Sequence, residues 1–215
     1  MSGLRKLWKK DSVKTVAALA LIIGIILGLY VSTQVALGVS VPLRVVESGS
    51  MCVQYDGNCD GWTHPFSHTL HVGDIIIIQK VDPTNLNANY PNSDIIVYKN
   101  PNSDTPIVHR IAAKQEINGT LYFKTKGDGN AAPNVWPNLP NYYDDIPTSN
   151  GVPQNLVEGK VVLRIPWFGL VTLFMRNNPW GLPLVLALIM LLIAVEFVIP
   201  VVRKKIKPAQ QKPVK

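Results

Sequence analysis

The feature that most constrains this chain is an uncharged stretch from Thr15 to Leu43, in which no Asp, Glu, Lys, Arg or His occurs. A second apolar stretch, from Trp180 to Val202, carries a single charged residue, Glu196. A helix that crosses a bilayer needs about 20 predominantly apolar residues, so both stretches are long enough. The predicted segments are a basic N-terminus (1–14), a first span (15–40), a domain (41–179), a second span (180–202) and a basic tail (203–215).

Each stretch has an alternative interpretation. The first could be a cleaved signal peptide, since it follows basic residues and has small residues near Ala36 and Gly38. It is longer than the usual apolar core of about 7 to 15 residues, which favours an uncleaved anchor. The second could lie on a membrane surface as an amphipathic helix. Because Leu184 to Val195 is apolar all round, insertion is favoured.

The net charge of +7 comes from the two tails. Five basic residues precede the first span and six follow the second, whereas residues 15–202 contain 13 acidic and 10 basic residues. This mildly acidic middle domain argues against nucleic-acid binding. Positive residues beside both spans predict cytoplasmic termini and place residues 44–179 on the opposite side. The predicted location is the cell membrane, as a two-pass protein with an extracytoplasmic domain.

The middle domain has the pattern of an antiparallel β-protein. Asn118-Gly119 between two of its strands is a strong hairpin signal, and no stretch has helical periodicity of useful length. We expect a mainly β fold, as a folded-over sheet or small barrel, with two long loops at 52–72 and 129–157. The predicted strands are Asp74–Val81, Asp94–Lys99, Pro106–Lys114, Thr120–Lys126 and Gly159–Ile165.

Three residues of this domain are candidates for chemistry. Ser50 lies in the segment Glu47 to Met51, just after the first span. A nucleophilic hydroxyl needs a base to accept its proton and a group that orients this base. His109 lies in a predicted strand and Asp128 in a downstream turn. Taken singly, these residues are also typical of a turn serine, a core histidine and a turn-forming aspartate.

Five segments in series resemble the type I signal peptidases, specifically the archaeal and endoplasmic-reticulum branch of that family. Any one segment is weak evidence, but their order and spacing over residues 15–165, together with the anchor, make the resemblance specific. The segments are Ser48-Gly49-Ser50-Met51, Gly73-Asp74-Ile75-Ile76, Ile107-Val108-His109-Arg110, Lys126-Gly127-Asp128 and Gly159-Lys160-Val161-Val162.

The resemblance implies a membrane-bound serine endopeptidase that removes signal peptides from exported preproteins, in an archaeal context and without a cofactor. It implies Ser50 as nucleophile, His109 as general base and a signal-peptidase-like β-domain at the outer membrane face. Ser48 is a candidate for an additional hydrogen bond. The expected partners are signal-peptide-bearing preproteins, the lipid bilayer and, as an option, the protein export machinery.

The chain departs from the family at the acid that supports the histidine. Family members usually carry a second acid six residues after the Lys-Gly-Asp segment, and here that position is Asn134. An amide can orient an imidazole but supplies no charge. We therefore expect Asp128 to take this role, with Asp144 and Asp145 in the long loop as alternatives.

The second departure is an insertion of about 15 residues after Met51. It contains Cys52 and Cys59, the two cysteines of the chain, and three histidines, His64, His68 and His71. A disulfide is the simplest interpretation of two nearby cysteines outside the cytoplasm. A zinc site and free thiols are the alternatives.

Two other functions are compatible with these residues. A membrane-tethered β-domain that acts as a receptor or assembly subunit would keep the fold without catalysis, and Asn134 keeps this alternative open. A metal-binding protein would use the Cys/His loop. The retention of Ser50 and His109 with their flanking residues favours the peptidase.

Overall fold

The computed structural model of the chain describes residues 11–52, 69–89, 92–130, 144 and 147–206. Its N-terminal helix, α1, runs from Asp11 to Leu37. The part from Thr15 to Leu37 is long and apolar enough to cross a membrane, and its apolar window is not buried within the protein. The helix ends where Gly38 adopts a φ of +67° and its amide donates to the Gln34 carbonyl at 2.9 Å, as glycine commonly does after a helix.

The second apolar stretch forms a helix as well. Helix α3 runs from Gly181 to Ile206 and is preceded by a short helix, α2, from Gly169 to Asn177. Among its described side chains, the apolar part of α3 extends from Gly181 to Glu196. This part is shorter than the about 20 residues that a span needs, so the second crossing stays a prediction.

The domain between these helices is built on one seven-stranded sheet in which all described pairings are antiparallel. The strand order is β1-β2-β7-β3-β4-β5-β6, and no pairing of β1 with β6 closes it among the described residues. As far as the described strands show, the sheet is open at β1 and β6. Its strands are β1 (Leu43–Val45), β2 (Ile75–Gln79), β3 (Ile95–Asn100), β4 (Ser103–Ile117), β5 (Thr120–Lys126), β6 (Val152–Pro153) and β7 (Val157–Ile165).

All five predicted strands are present, as β2, β3, β4, β5 and β7, and the mainly antiparallel β fold is confirmed. Asn118 and Gly119 join β4 to β5 with φ values of +50° and +76°, the left-handed conformations that a two-residue hairpin turn requires. The domain also contains the short helix α2, although no stretch of it shows helical periodicity of useful length. Its nine residues are too few to give a clear helical period.

Strand β3 lies at the centre of the sheet and buries both of its faces. Since neighbouring side chains of a strand point to opposite faces, Val97 joins one apolar cluster while Ile96 and Tyr98 join another. These three residues are fully buried. A strand held on both faces and by hydrogen bonds on both edges is a rigid support for β4, which carries His109 beside it.

Candidate active site

Ser50 lies on a single 3-10 turn, Gly49–Met51, shortly after β1. Each carbonyl of this turn accepts a hydrogen bond: Gly49 from the Cys52 amide at 3.0 Å, and Ser50 from the Gly129 amide at 2.8 Å. The Met51 carbonyl accepts one from the hydroxyl of Thr69. Three hydrogen bonds, one to each carbonyl, therefore hold the turn that carries the Ser50 hydroxyl.

The imidazole of His109 reaches this hydroxyl. His109 lies on β4 opposite Ile96 of β3, and only 8% of its surface is exposed. Its Nε2 is 3.1 Å from Ser50 Oγ, within the distance at which an imidazole can accept a hydroxyl proton. The structure thus brings the predicted nucleophile and the predicted base together from positions 59 residues apart in the chain.

The other imidazole nitrogen contacts the carboxylate of Asp144. Asp144 Oδ2 forms a hydrogen bond with His109 Nδ1, and it also accepts one from the hydroxyl of Thr125 at 2.9 Å. The Asp144 amide donates to the Thr125 carbonyl at 2.9 Å. Because Asp144 holds the proton on Nδ1, Nε2 is left free to accept the proton of Ser50.

Asp128 does not take this place. Its two carboxylate oxygens each accept a hydrogen bond at 2.8 Å from the guanidinium of Arg110. The bidentate pairing explains the departure from the expectation, since Arg110 projects to the opposite face of β4 from His109 and draws Asp128 with it. Arg110 also donates to the Ser93 carbonyl at 2.9 Å, so this pair connects the Asp128 turn to the loop before β3.

Glycines beside Asp128 allow its turn to approach the turn that carries Ser50. A Cβ atom on Gly127 would lie 2.3 Å from the Ser50 carbonyl oxygen, and one on Gly129 would lie 2.3 Å from that of Cys52. Both distances are far shorter than a carbon–oxygen contact permits. The Lys-Gly-Asp-Gly segment therefore packs backbone against backbone on the turn that holds Ser50.

The remaining predicted residues are distributed as follows. Ser48 Oγ lies 3.2 Å from Ser50 Oγ. Cys52 is fully buried and disulfide-bonded, and no group of three metal-binding side chains occurs among the described residues. The other members of the predicted set, Asn134, Asp145 and Cys59, lie outside the described residues, as do His64 and His68.

Two supporting residues were not found from the sequence. The hydroxyl of Thr125 donates to Asp144, so the contact of 3.2 Å between Tyr98 and Thr125 has the Tyr98 hydroxyl as its donor. Both residues are fully buried. Burial, more than any other cause, raises the pKa of Tyr98 well above its ordinary value of 10.0, so the phenol keeps its proton. The signal that could have found them is their place on strands next to the His109 strand.

A buried lysine, Lys126, also lies close to the acids. Burial lowers the pKa of its ammonium group, against the opposing effect of the negative charges of Asp144 and Asp128. In the strand register, Lys126 on β5 lies opposite Arg110 on β4. The site thus contains two carboxylates held among several positive groups.

A cleft of about 700 Å³ opens in front of Ser50 and His109. One wall comes from β1 and the segment after it, and the other from the first half of β4. Helix α2 contributes Thr172, Leu173 and Arg176. Arg176 forms an ion pair with Glu47, which lies three residues before Ser50.

No protein-family model matches the chain. It is similar to several curated proteins described as catalytic subunits of the signal peptidase complex. The SEC11C subunit of dog (Canis lupus familiaris) is 28% identical over 177 residues, which are 82% of this chain and 79% of that protein. The SEC11 subunit of the fungus Tuber melanosporum is 28% identical over 210 residues, covering 91% of this chain and 96% of the relative.

A third curated protein has a higher identity over a shorter part of the chain. The SEC11 subunit of Verticillium alfalfae is 33% identical over 89 residues, which are 40% of this chain. The resemblance seen in the sequence is thereby confirmed: over most of its length this chain is similar to proteins described as catalytic subunits of the signal peptidase complex.

Proposed function

We propose that this protein is a membrane-bound serine endopeptidase that cleaves signal peptides from exported preproteins at the outer face of the membrane. The observation that carries the proposal is the contact of Ser50 Oγ with His109 Nε2 at 3.1 Å, with Asp144 on the other imidazole nitrogen. This is the geometry of a nucleophile, a base and the group that orients the base.

In the proposed reaction, Ser50 Oγ attacks the scissile carbonyl while its proton moves to His109 Nε2. The imidazolium then gives this proton to the leaving amine, and an ester joins Ser50 to the signal peptide. A water molecule, deprotonated by the same imidazole, attacks the ester and releases the signal peptide with a free carboxylate, while the imidazolium returns the proton to Ser50 Oγ. Asp144 stabilises the imidazolium in both steps. The reaction balances without a metal or an organic cofactor.

The negative oxygen of the tetrahedral intermediate needs hydrogen-bond donors. The backbone amide of Ser50 is one candidate. The hydroxyl of Ser48, which lies 3.2 Å from Ser50 Oγ, is the second. The hydrogen bonds that fix the carbonyls of Gly49, Ser50 and Met51 keep these donors oriented before the substrate arrives.

The substrate is proposed to bind in extended conformation between β1 and the first half of β4. β1 pairs only with β2, and the residues of β4 before Arg110 pair only with β3, among the described strands. Both walls therefore present free strand edges to an added peptide strand. The partly buried Ile107 and Val108 line the cleft beside His109, which favours small apolar substrate side chains next to the cleaved bond.

The membrane arrangement is part of the proposal. Helix α1 is apolar over 23 residues and is followed within a few residues by β1, which leads to Ser50. Two spans with cytoplasmic basic tails would hold the cleft near the outer lipid surface, where a signal peptide leaves the bilayer. The proposed partners are preproteins and the bilayer. Association with further subunits or with export machinery is proposed because the relatives are named as subunits of a complex.

The activity is tested with the full-length protein in detergent and a preprotein substrate, with the cut mapped by mass spectrometry. We expect cleavage after a small residue, and its loss in Ser50→Ala and His109→Ala. Ser149→Ala is the matched control, since Ser149 is exposed and is not among the described residues that line the cleft. A folded wild type that cleaves no preprotein, or a Ser50→Ala variant that cleaves normally, would overturn the proposal.

The orientation is tested separately by labelling single cysteines with an impermeant maleimide in intact cells. Asp104→Cys lies in the exposed start of β4, and Lys215→Cys lies in the basic tail. We expect labelling of Asp104→Cys only, and labelling of Lys215→Cys only after lysis. Labelling of both in intact cells would contradict the two-pass arrangement.

A further inference from the structure

The proposed acid, Asp144, belongs to no helix or strand of the described structure and lies between β5 and β6 in the chain. A side chain on a loop needs outside contacts to hold it within the narrow range of positions that catalysis requires. Besides its bond to His109, Asp144 makes two hydrogen bonds with Thr125: the amide of Asp144 donates to the Thr125 carbonyl, and its carboxylate accepts from the Thr125 hydroxyl, both at 2.9 Å. One residue thus holds both the backbone and the side chain of Asp144.

Thr125 lies on a strand of the sheet and can therefore fix the position of Asp144. It lies on β5, directly beside β4, and it pairs with Ile111, two residues after His109. It is fully buried. The hydroxyl of Thr125 has one proton, which goes to Asp144, and it accepts the proton of the Tyr98 hydroxyl at 3.2 Å. Because the pKa of Tyr98 is raised by burial, this donor stays protonated, and the direction of the Thr125 hydroxyl is fixed.

We propose that Thr125 is a positioning residue of the active site, which holds Asp144 against His109 through one backbone and one side-chain hydrogen bond, with Tyr98 fixing the direction of its hydroxyl. The Tyr98 hydroxyl donates to the Thr125 hydroxyl, which in turn donates to the Asp144 carboxylate. His109 Nδ1 donates to the same carboxylate. Thr125 acts only through Asp144. The inference rests on the proposed role of Asp144 and goes beyond it.

The substitutions follow from this order. Thr125→Val keeps the shape and the backbone bond but removes the hydroxyl, and a hydrogen bond to a charged group is worth enough to lower kcat about 10- to 100-fold, with KM nearly unchanged. Thr125→Ser keeps the hydroxyl and should restore most of kcat. Tyr98→Phe removes the donor to Thr125, together with the interaction of the phenol with Asp144, and should cost less than Thr125→Val. Thr148→Val is the matched control, since the Thr148 hydroxyl donates a hydrogen bond to the Gly151 carbonyl away from the cleft.

A second measurement does not need activity. In protein labelled with ¹⁵N-histidine, the Nδ1 proton of His109 is assigned by its loss in His109→Ala; the chain has four histidines. We expect Thr125→Val to shift or broaden this proton signal, and Thr125→Ser and Thr148→Val to leave it in place. An unchanged signal and unchanged kcat in Thr125→Val would overturn the inference, as would a Thr125→Ser variant as impaired as Thr125→Val. If the wild type cleaves no preprotein, the peptidase proposal fails, and the proton signal alone decides the role of Thr125.

Discussion

Replacing Asp144 by asparagine separates the charge of the proposed acid from its shape. An asparagine oxygen can accept the same hydrogen bonds, from His109 Nδ1 and from the Thr125 hydroxyl. The change therefore removes mainly the negative charge that stabilises the imidazolium. Opposite charges about 4 Å apart attract by about 4 kcal/mol at an effective dielectric constant of about 20. This dielectric constant is used because the side chains of His109 and Asp144 are only 10% and 16% exposed.

A loss of about 4 kcal/mol from the stabilisation of the transition state corresponds to about a thousandfold lower kcat. We expect this loss in Asp144→Asn with little change in the midpoint of thermal unfolding. The matched control is Asp128→Asn, the same change in the other carboxylate. It removes the negative charge that faces the Arg110 guanidinium, and breaking a buried ion pair costs about 3 to 5 kcal/mol of stability. Its midpoint should fall, while kcat of the folded protein should change less than tenfold.

The assay is cleavage of a preprotein at saturating concentration, measured well below the unfolding midpoint of each variant, with unfolding followed by circular dichroism. The reversed pattern, in which Asp128→Asn loses kcat and Asp144→Asn keeps it, would refute the assignment of Asp144. Equal losses in both variants would also count against it.

Three further predictions concern the surroundings of the site. Gly129→Ala should lower kcat at least tenfold in the cleavage assay, because its Cβ would lie 2.3 Å from the Cys52 carbonyl oxygen and must displace the Ser50 turn; wild-type kcat would contradict this packing. Reduction of the disulfide at Cys52 should lower the thermal unfolding midpoint, since a disulfide restricts the unfolded chain; an unchanged midpoint after verified reduction would argue against it. The raised pKa of Tyr98 means that the neutral phenol stabilises the fold fully below pH 10 and that this contribution is lost as the pH rises above 10. The difference in unfolding free energy between the wild type and Tyr98→Phe should therefore shrink above pH 10, and a constant difference in urea titrations would contradict this.

The strands that the sequence predicted correctly are those with a long β-branched run or a clear turn beside them. β2 is a run of four isoleucines before Gln79, and the β4–β5 hairpin has Asn118-Gly119 at its tip. β1 and β6 have only three and two residues, too few for a period to be recognised. They form because the neighbouring strands offer free edges, which is a property of the folded sheet and not of the local sequence.

The candidate site also has a part that could be predicted from the sequence and a part that could not. Ser50 and His109 lie in segments with a recognisable order, so their proximity could be anticipated. The choice between Asp128 and Asp144 could not be made, because it depends on which face of β4 each loop reaches. Arg110 and His109 are adjacent in sequence and point to opposite faces, and each attracts one carboxylate. No spacing along the chain encodes that division.

The central claim is that the Ser50 hydroxyl attacks the signal peptide. It is tested most directly in proteoliposomes under single-turnover conditions, with enzyme in excess over a preprotein, by comparing the wild type with Ser50→Ala at equal amounts of folded protein. The account predicts one cut by the wild type and no mature product from Ser50→Ala over the same period. Equal cleavage by Ser50→Ala would contradict it.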